Sequence, residues 1–132
     1  MSIDGLITLK CNRNPEETFE RLEAEVRAKG MTVFARIDHS AGAREVGLAL
    51  RPTLLLVFGN ARAGTPLMQA VQTLGIDLPL KALVWQDEAG ATWLSYNDPA
   101  WLKHRHGLGA GVEATVKTMS AGLGAIAKAA TT

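Results

Sequence analysis

The sequence predicts an α+β domain, close to the α/β class, built as a two-layer sandwich in which a mixed sheet of about five strands packs against helices. Three observations carry this reading. Five apolar or alternating stretches, at 3–11, 31–39, 53–58, 81–86 and 91–96, have strand character. Two of the steps between them cross over through a helix, whereas Asp87-Glu88-Ala89-Gly90 marks a hairpin. The length of 132 residues fits one domain with a core of its own, and no linker or internal repeat divides it.

Each element has its own justification. Ile3, Leu6, Ile7 and Leu9 make the first strand. Asn14-Pro15-Glu16-Glu17 opens a helix: Asn14 caps, Pro15 suits the first turn and Glu17 sits at the capping-box position. Phe19, Leu22 and Val26 form its apolar face, with Glu17–Arg21, Glu23–Arg27 and Glu25–Lys29 as i,i+4 pairs on the wet side and Gly30 as the stop. Residues 31–39 alternate as a strand with a mixed second face. Residues 40–47 read as a short helix capped by Asp38 or Ser40. The run Thr53–Phe58 is continuously apolar, which predicts a central strand buried on both faces.

After that strand, a helix is predicted to begin at Thr65-Pro66, run to about Thr73 and stop at Gly75. The hairpin follows, then a short helix capped within Asn97-Asp98-Pro99 and ending near Gly107. Leu108, Val112, Val116, Met119, Leu123 and Ile126 step by three or four, giving an amphipathic C-terminal helix over about 109–129. Gly109, Gly111, Gly122 and Gly124 weaken it, so packing must hold it in place.

Composition excludes several functions. The formal net charge is +1 and the cations are scattered, so no basic stripe for nucleic acid exists. The start of the chain lacks the pattern of a secretory signal, and no run approaches a membrane span. The single cysteine, Cys11, fits a reducing compartment, and nothing around it marks a reactive thiol. The expectation is a soluble, cytoplasmic domain with no cofactor and no membrane partner.

The segment 53–73 is where structure and chemistry coincide. Gly59-x4-Gly64-Thr65 lies between an apolar strand and a helix, one lysine short of a phosphate loop. Two readings stand. The N–H groups of Gly64 and Thr65, with Asn60 and with Arg62 replacing the lysine, can cradle a small anion; or Gly59 permits an unusual turn, Thr65 caps and Pro66 starts the helix. Pro66 removes one N–H, and the missing lysine argues against nucleotide hydrolysis. A second cluster, Asp38, His39 and Arg44, offers an acid–base pair with an anion partner, or a helix cap with a surface histidine. His104 and His106 are two apart on a helix and do not chelate one metal, so no metal site is expected. Trp85, Trp93, Tyr96 and Trp101 read as core or interface, or as the lining of a pocket.

Several phrases together resemble a known family: Ile37-Asp38-His39-Ser40-Ala41-Gly42-Ala43, Leu50-Arg51-Pro52-Thr53, Phe58-Gly59-Asn60, Ala63-Gly64-Thr65-Pro66-Leu67-Met68-Gln69, Leu78-Pro79-Leu80-Lys81 and Ser95-Tyr96-Asn97-Asp98-Pro99. They are similar to the domain of unknown function 302 family over about residues 5–106. The resemblance implies a small bacterial α/β domain that forms homodimers, and it implies no reaction. The functional expectation is a homodimeric module binding a small polar or anionic ligand near Asp38, His39, Arg44, Asn60, Arg62, Gly64 and Thr65. The alternatives are a structural or partner-interaction dimer without a small-molecule site, and an enzyme using Asp38 or His39 as its acid–base.

Overall fold

A computed structural model describes residues 2–132. Among them the chain forms β1 (Leu6–Lys10), α1 (Pro15–Ala28), β2 (Thr32–Asp38), α2 (His39–Glu45), β3 (Thr53–Gly59), α3 (Ala61–Ala70), β4 (Leu80–Gln86), β5 (Thr92–Asn97), α4 (Pro99–His106) and α5 (Glu113–Thr131). A 3-10 turn, Gln72–Ile76, follows α3, and a shorter one, Ala110–Val112, precedes α5.

The five strands make one sheet in the order β1-β5-β4-β3-β2. The expected two-layer sandwich is present, but the mixed sheet is corrected: every neighbouring pair is antiparallel. The reason lies in where the connections go. α2 does not carry the chain across the sheet. It packs at the end of β2, where the buried Ser40 hydroxyl accepts the Thr53 N–H at 2.9 Å, so the chain turns back beside itself. α3 likewise returns the chain at one end of the sheet, because β3 and β4 pair antiparallel. β1 and β2 do run parallel, but α1 takes the chain from one edge strand to the other.

Alternation then sorts the side chains. Leu56, Phe58, Ala82, Val84, Leu94 and Tyr96 face α1 and α5 and are buried with Phe19, Leu22, Val26, Leu123 and Ile126. Thr53, Leu55 and Val57 of β3 alternate with these residues, pair with Trp85, Leu83 and Lys81, and lie on the opposite face of the sheet, which is only half-buried. Burial of β3 on both faces is thus corrected to burial on one, and the central position belongs to β4. The aromatics divide accordingly. Tyr96 enters the core, while Trp85 and Trp93 stack on the other face with ring centroids 6.2 Å apart. Both indole N–H groups are used: Trp85 donates to Ser95 Oγ at 2.9 Å and Trp93 to Asp87 Oδ2 at 2.8 Å.

Capping follows the residue chemistry. Asn14 Oδ1 accepts the Glu17 N–H at 2.8 Å, and its amide reaches back to the Glu17 carboxylate at 3.1 Å. Of the three expected ion pairs on α1, Glu23–Arg27 forms, whereas Arg21 instead donates to the Ala129 carbonyl on α5. Asp98 caps α4, and Gly107 ends it in the left-handed conformation.

Gly5 has a more particular role. Its φ is +76°, and a Cβ there would stand 2.3 Å from the Trp101 ring. Gly5→Ala therefore combines backbone strain with an overlap against a large side chain. It should cost about 2–4 kcal/mol, read as a lower urea midpoint with unchanged slope. A loss below about 0.5 kcal/mol would show that Trp101 can move away freely.

Candidate functional site

The seven residues singled out in the sequence lie at two ends of the sheet. Thr32 of β2 pairs with Gly59 of β3, and Asp38 pairs with Leu54. Asp38, His39 and Arg44 are thus separated from Asn60, Arg62, Gly64 and Thr65 by the length of a strand, about 20 Å at 3.3 Å per residue. They do not share a site.

At the first end, Asp38 is a helix cap. Its Oδ1 accepts the Ala41 N–H at 2.9 Å, and that bond, assisted by Ser40 and by the Arg44 charge, holds the carboxyl below its usual range. A carboxylate held ionised and committed to a backbone donor is a poor proton acceptor. His39 and Arg44 are exposed.

At the other end, the helix begins earlier than its sequence suggested. Asn60, not Thr65, is the cap: its Oδ1 accepts the Arg62 N–H at 2.9 Å, and its carbonyl accepts from Ala63 at 3.0 Å and Gly64 at 2.9 Å. Asparagine is the stronger capping residue, and its position directly after the strand lets the helix start at once. Gly64 and Thr65 therefore lie inside α3. The Gly64 N–H is spent within the helix and cannot cradle an anion, and Gly59 continues β3 without a positive φ. Pro66 also lies inside α3, where it leaves the Arg62 carbonyl without its usual helical donor.

What the loop does border is a cavity of about 740 Å³. Gly59, Asn60, Gly64 and Thr65 line it, so four of the positions in the sequence-derived loop meet there. Arg62 is exposed and is not in the lining. The cavity lies between α3, the end of the sheet and the first half of α5, and its surface is mainly apolar: Met31, Phe34, Met68, Leu78 and Met119 supply most of the body. Polar groups border it through Asn60, Thr65, Thr115 and Thr118, and Lys29 contributes the only lysine or arginine among the lining residues. Phe34 reaches it from a β-bulge between Val33 and Ala35, where the register of β2 slips. The bulge puts one extra residue into β2 there, so alternation alone does not fix the face that Phe34 takes. Met31, Met68 and Met119 come from three separate parts of the chain, and no local pattern in the sequence marks them as sharing a wall.

Two further residues lie apart from the cavity. Cys11 is buried, and desolvation pushes its thiol upward, as fits an inert core cysteine. His106 is not exposed at a helix end. Its Nε2 meets Asp77 Oδ2 at 2.5 Å, and its Nδ1 meets Thr73 Oγ1 at 3.0 Å. Among the described residues no group of three His, Cys, Asp or Glu is placed to hold a metal ion.

The family model "Domain of unknown function DUF302" matches residues 7–126, a span that runs past α4 into most of α5. A crystal structure of an uncharacterized conserved DUF302 protein from Bacillus stearothermophilus superposes with a TM-score of 0.85 over 97% of this chain and 99% of that one, at 21% identity. It speaks for the fold alone. Two curated relatives are 48% identical over 124 residues: "Fluoride-specific ion channel FluC 1" of Brucella suis biovar 1 (strain 1330) and "Fluoride-specific ion channel FluC 1" of Brucella abortus biovar 1 (strain 9-941). The match covers 94% of this chain but 49% and 46% of those relatives, so the chain spans about half their length.

The reassigned cap is directly testable. Asn60→Ala should destabilise the protein by about 1 kcal/mol in chemical denaturation, while Thr65→Ala, within the helix and exposed, should stay within about 0.5 kcal/mol of wild type. The reverse order would restore Thr65 as the cap.

Proposed function

This chain belongs to the domain of unknown function 302 family, and we propose that it is a binding module for a small amphipathic molecule held in the cavity at the end of β3. The observation that carries the reading is the apolar cavity itself, whose volume of about 740 Å³ lies within the roughly 300–1,000 Å³ of ordinary ligand sites. The apolar body of the ligand would lie against Met31, Met68, Leu78 and Met119. Methionine suits such a wall because its unbranched, polarizable side chain adapts to different shapes. A polar or anionic head would face Lys29, Asn60 and Thr65. This retains an anion near the Gly59–Thr65 loop but moves the recognition from backbone N–H groups to side chains and apolar surface. The reading assigns the cavity to binding: the lining residues that carry polar side chains are Lys29, Asn60, Thr65, Thr115 and Thr118.

Gly122 gives a clean test. It lines the cavity from α5, and a Cβ there meets nothing within 4 Å. Gly122→Leu should fill the space and raise stability by up to about 1 kcal/mol, because glycine is a poor helix residue. With decanoate as probe at about a hundredfold excess over Kd, wild type gains about 2.7 kcal/mol, a rise in Tm of about 10 °C for this length. The variant should lose that rise while melting no lower than wild type. Equal shifts in both proteins, or no shift with decanoate and none with anilinonaphthalene sulfonate, would count against the reading.

A second observation supports self-association. The half-buried face of the sheet carries Ile37, Leu55, Val57, Leu83, Trp85 and Trp93 without a helical layer over it. We infer that a second copy covers this face. Light scattering should give twice the 14.1 kDa chain mass, and Leu55→Lys should reduce it to one chain with little change in the urea midpoint. A single-chain mass for wild type would remove the dimer. Among the described residues no helix is long and apolar enough to cross a membrane, and about half of each channel-named relative has no counterpart here.

A further inference from the structure

Outside the cavity, one cluster places a nucleophile, a base and an orienting carboxylate in hydrogen-bonded order. Thr73 lies on the 3-10 turn after α3, Asp77 directly follows that turn, and Arg105 and His106 occupy the last turn of α4. Thr73 Oγ1 lies 3.0 Å from His106 Nδ1, and His106 Nε2 lies 2.5 Å from Asp77 Oδ2. Arg105 donates to both Asp77 oxygens at 2.9 Å, which fixes the plane of the carboxylate. The His106 side chain is 7% exposed and that of Asp77 13%, whereas Thr73 is open to solvent. None of the four lines the cavity.

The hydrogen-bond directions follow from the partners. An ionised carboxylate only accepts, so in the neutral imidazole the proton sits on Nε2 and is donated to Asp77. Nδ1 is then left as an acceptor, and the Thr73 hydroxyl faces it as the donor. Asp77, Arg105 and His106 clamp the turn to α4, and the Thr73 hydroxyl satisfies the remaining imidazole nitrogen through the same hydrogen bond by which a base activates a hydroxyl. The arrangement matches the general requirement for an activated nucleophile, a base within about 2.6–3.2 Å and a third group orienting that base.

We propose that Thr73 is an acyl-accepting nucleophile, with His106 as its general base and Asp77 as the positioning residue. The substrate class is an activated carboxylic ester small enough to reach an exposed hydroxyl. Thr73 Oγ attacks the carbonyl carbon, a C–O bond forms, and the hydroxyl proton passes to His106 Nδ1. The tetrahedral adduct collapses, the bond to the leaving alcohol breaks, and the imidazolium returns the proton to that alkoxide. Water, activated in the same way, then releases the acid and regenerates Thr73. Asp77 stabilises the imidazolium that forms between the two proton transfers.

The probe is p-nitrophenyl acetate on the full chain, followed by nitrophenolate release and by peptide mapping for the acetyl group. Wild type should show a burst and acetylation of Thr73. Thr73→Val, which keeps the shape, should abolish both, and Thr73→Ser should retain them. His106→Gln should slow acylation by about 10²–10⁴-fold, the usual contribution of a positioned base. Asp77→Asn should slow it while leaving Thr73 the acetylated residue. Should the His106 or Asp77 variant fail to fold, the Thr73 pair still decides the question, since that side chain is exposed. Acetyl groups on lysines or the N-terminus but not on Thr73 would overturn the proposal. So would equal acetylation of Thr73 in wild type and a folded His106→Gln variant.

Discussion

The structure depends on a sheet that is covered on one face only. α1 and α5 lie side by side over the five strands, and the residues beneath them, Leu56, Phe58, Val84 and Leu94, are fully withdrawn from water. With only two layers, the chain cannot bury both faces of any strand. Everything else follows from the limit of that cover. The opposite face keeps a half-buried apolar surface with no helical layer over it among the described residues. At the end of the sheet, α3 and the start of α5 leave a gap between them, which is the cavity.

Much of this was legible in the residues because local chemistry agreed with the global fold. Asn14, Asp38 and Asp98 cap the helices they were expected to cap or share in capping, and the hairpin lies where Asp87 and Gly90 mark it. What was not legible had a tertiary origin. Helical connections suggested parallel neighbours, yet the burial of Ser40 against Thr53 decides that β2 and β3 fold back on each other. Thr65-Pro66 looked like a helix start in isolation, but Asn60 stands nearer the strand and captures the first free N–H group.

The candidate site shows the same division. A strand ending at Gly59 and passing into a helix pointed to the correct place, since Gly59, Asn60, Gly64 and Thr65 all border the cavity. It did not show the rest of the lining, because Met31, Met68 and Met119 are far apart in sequence and share no local pattern. Asp77 and His106 illustrate the limit further. They are 29 positions apart, and only the packing of the 3-10 turn on α4 brings them together.

The anchoring of α5 is uneven along its length. Near its end, the carbonyl oxygens of Ala129, Thr131 and Thr132 accept from Arg21, from the Asn12 N–H and from Arg13, so the last turn is sewn to the first helix and the segment before it. Its beginning has no side-chain cap, follows Gly109 and Gly111, and lines the cavity as far as Gly122. The half of α5 that walls the cavity is therefore held by packing alone, through Val116 among Leu67, Leu102 and Leu108, whereas the half over the sheet is held by packing and by hydrogen bonds to the chain's first residues.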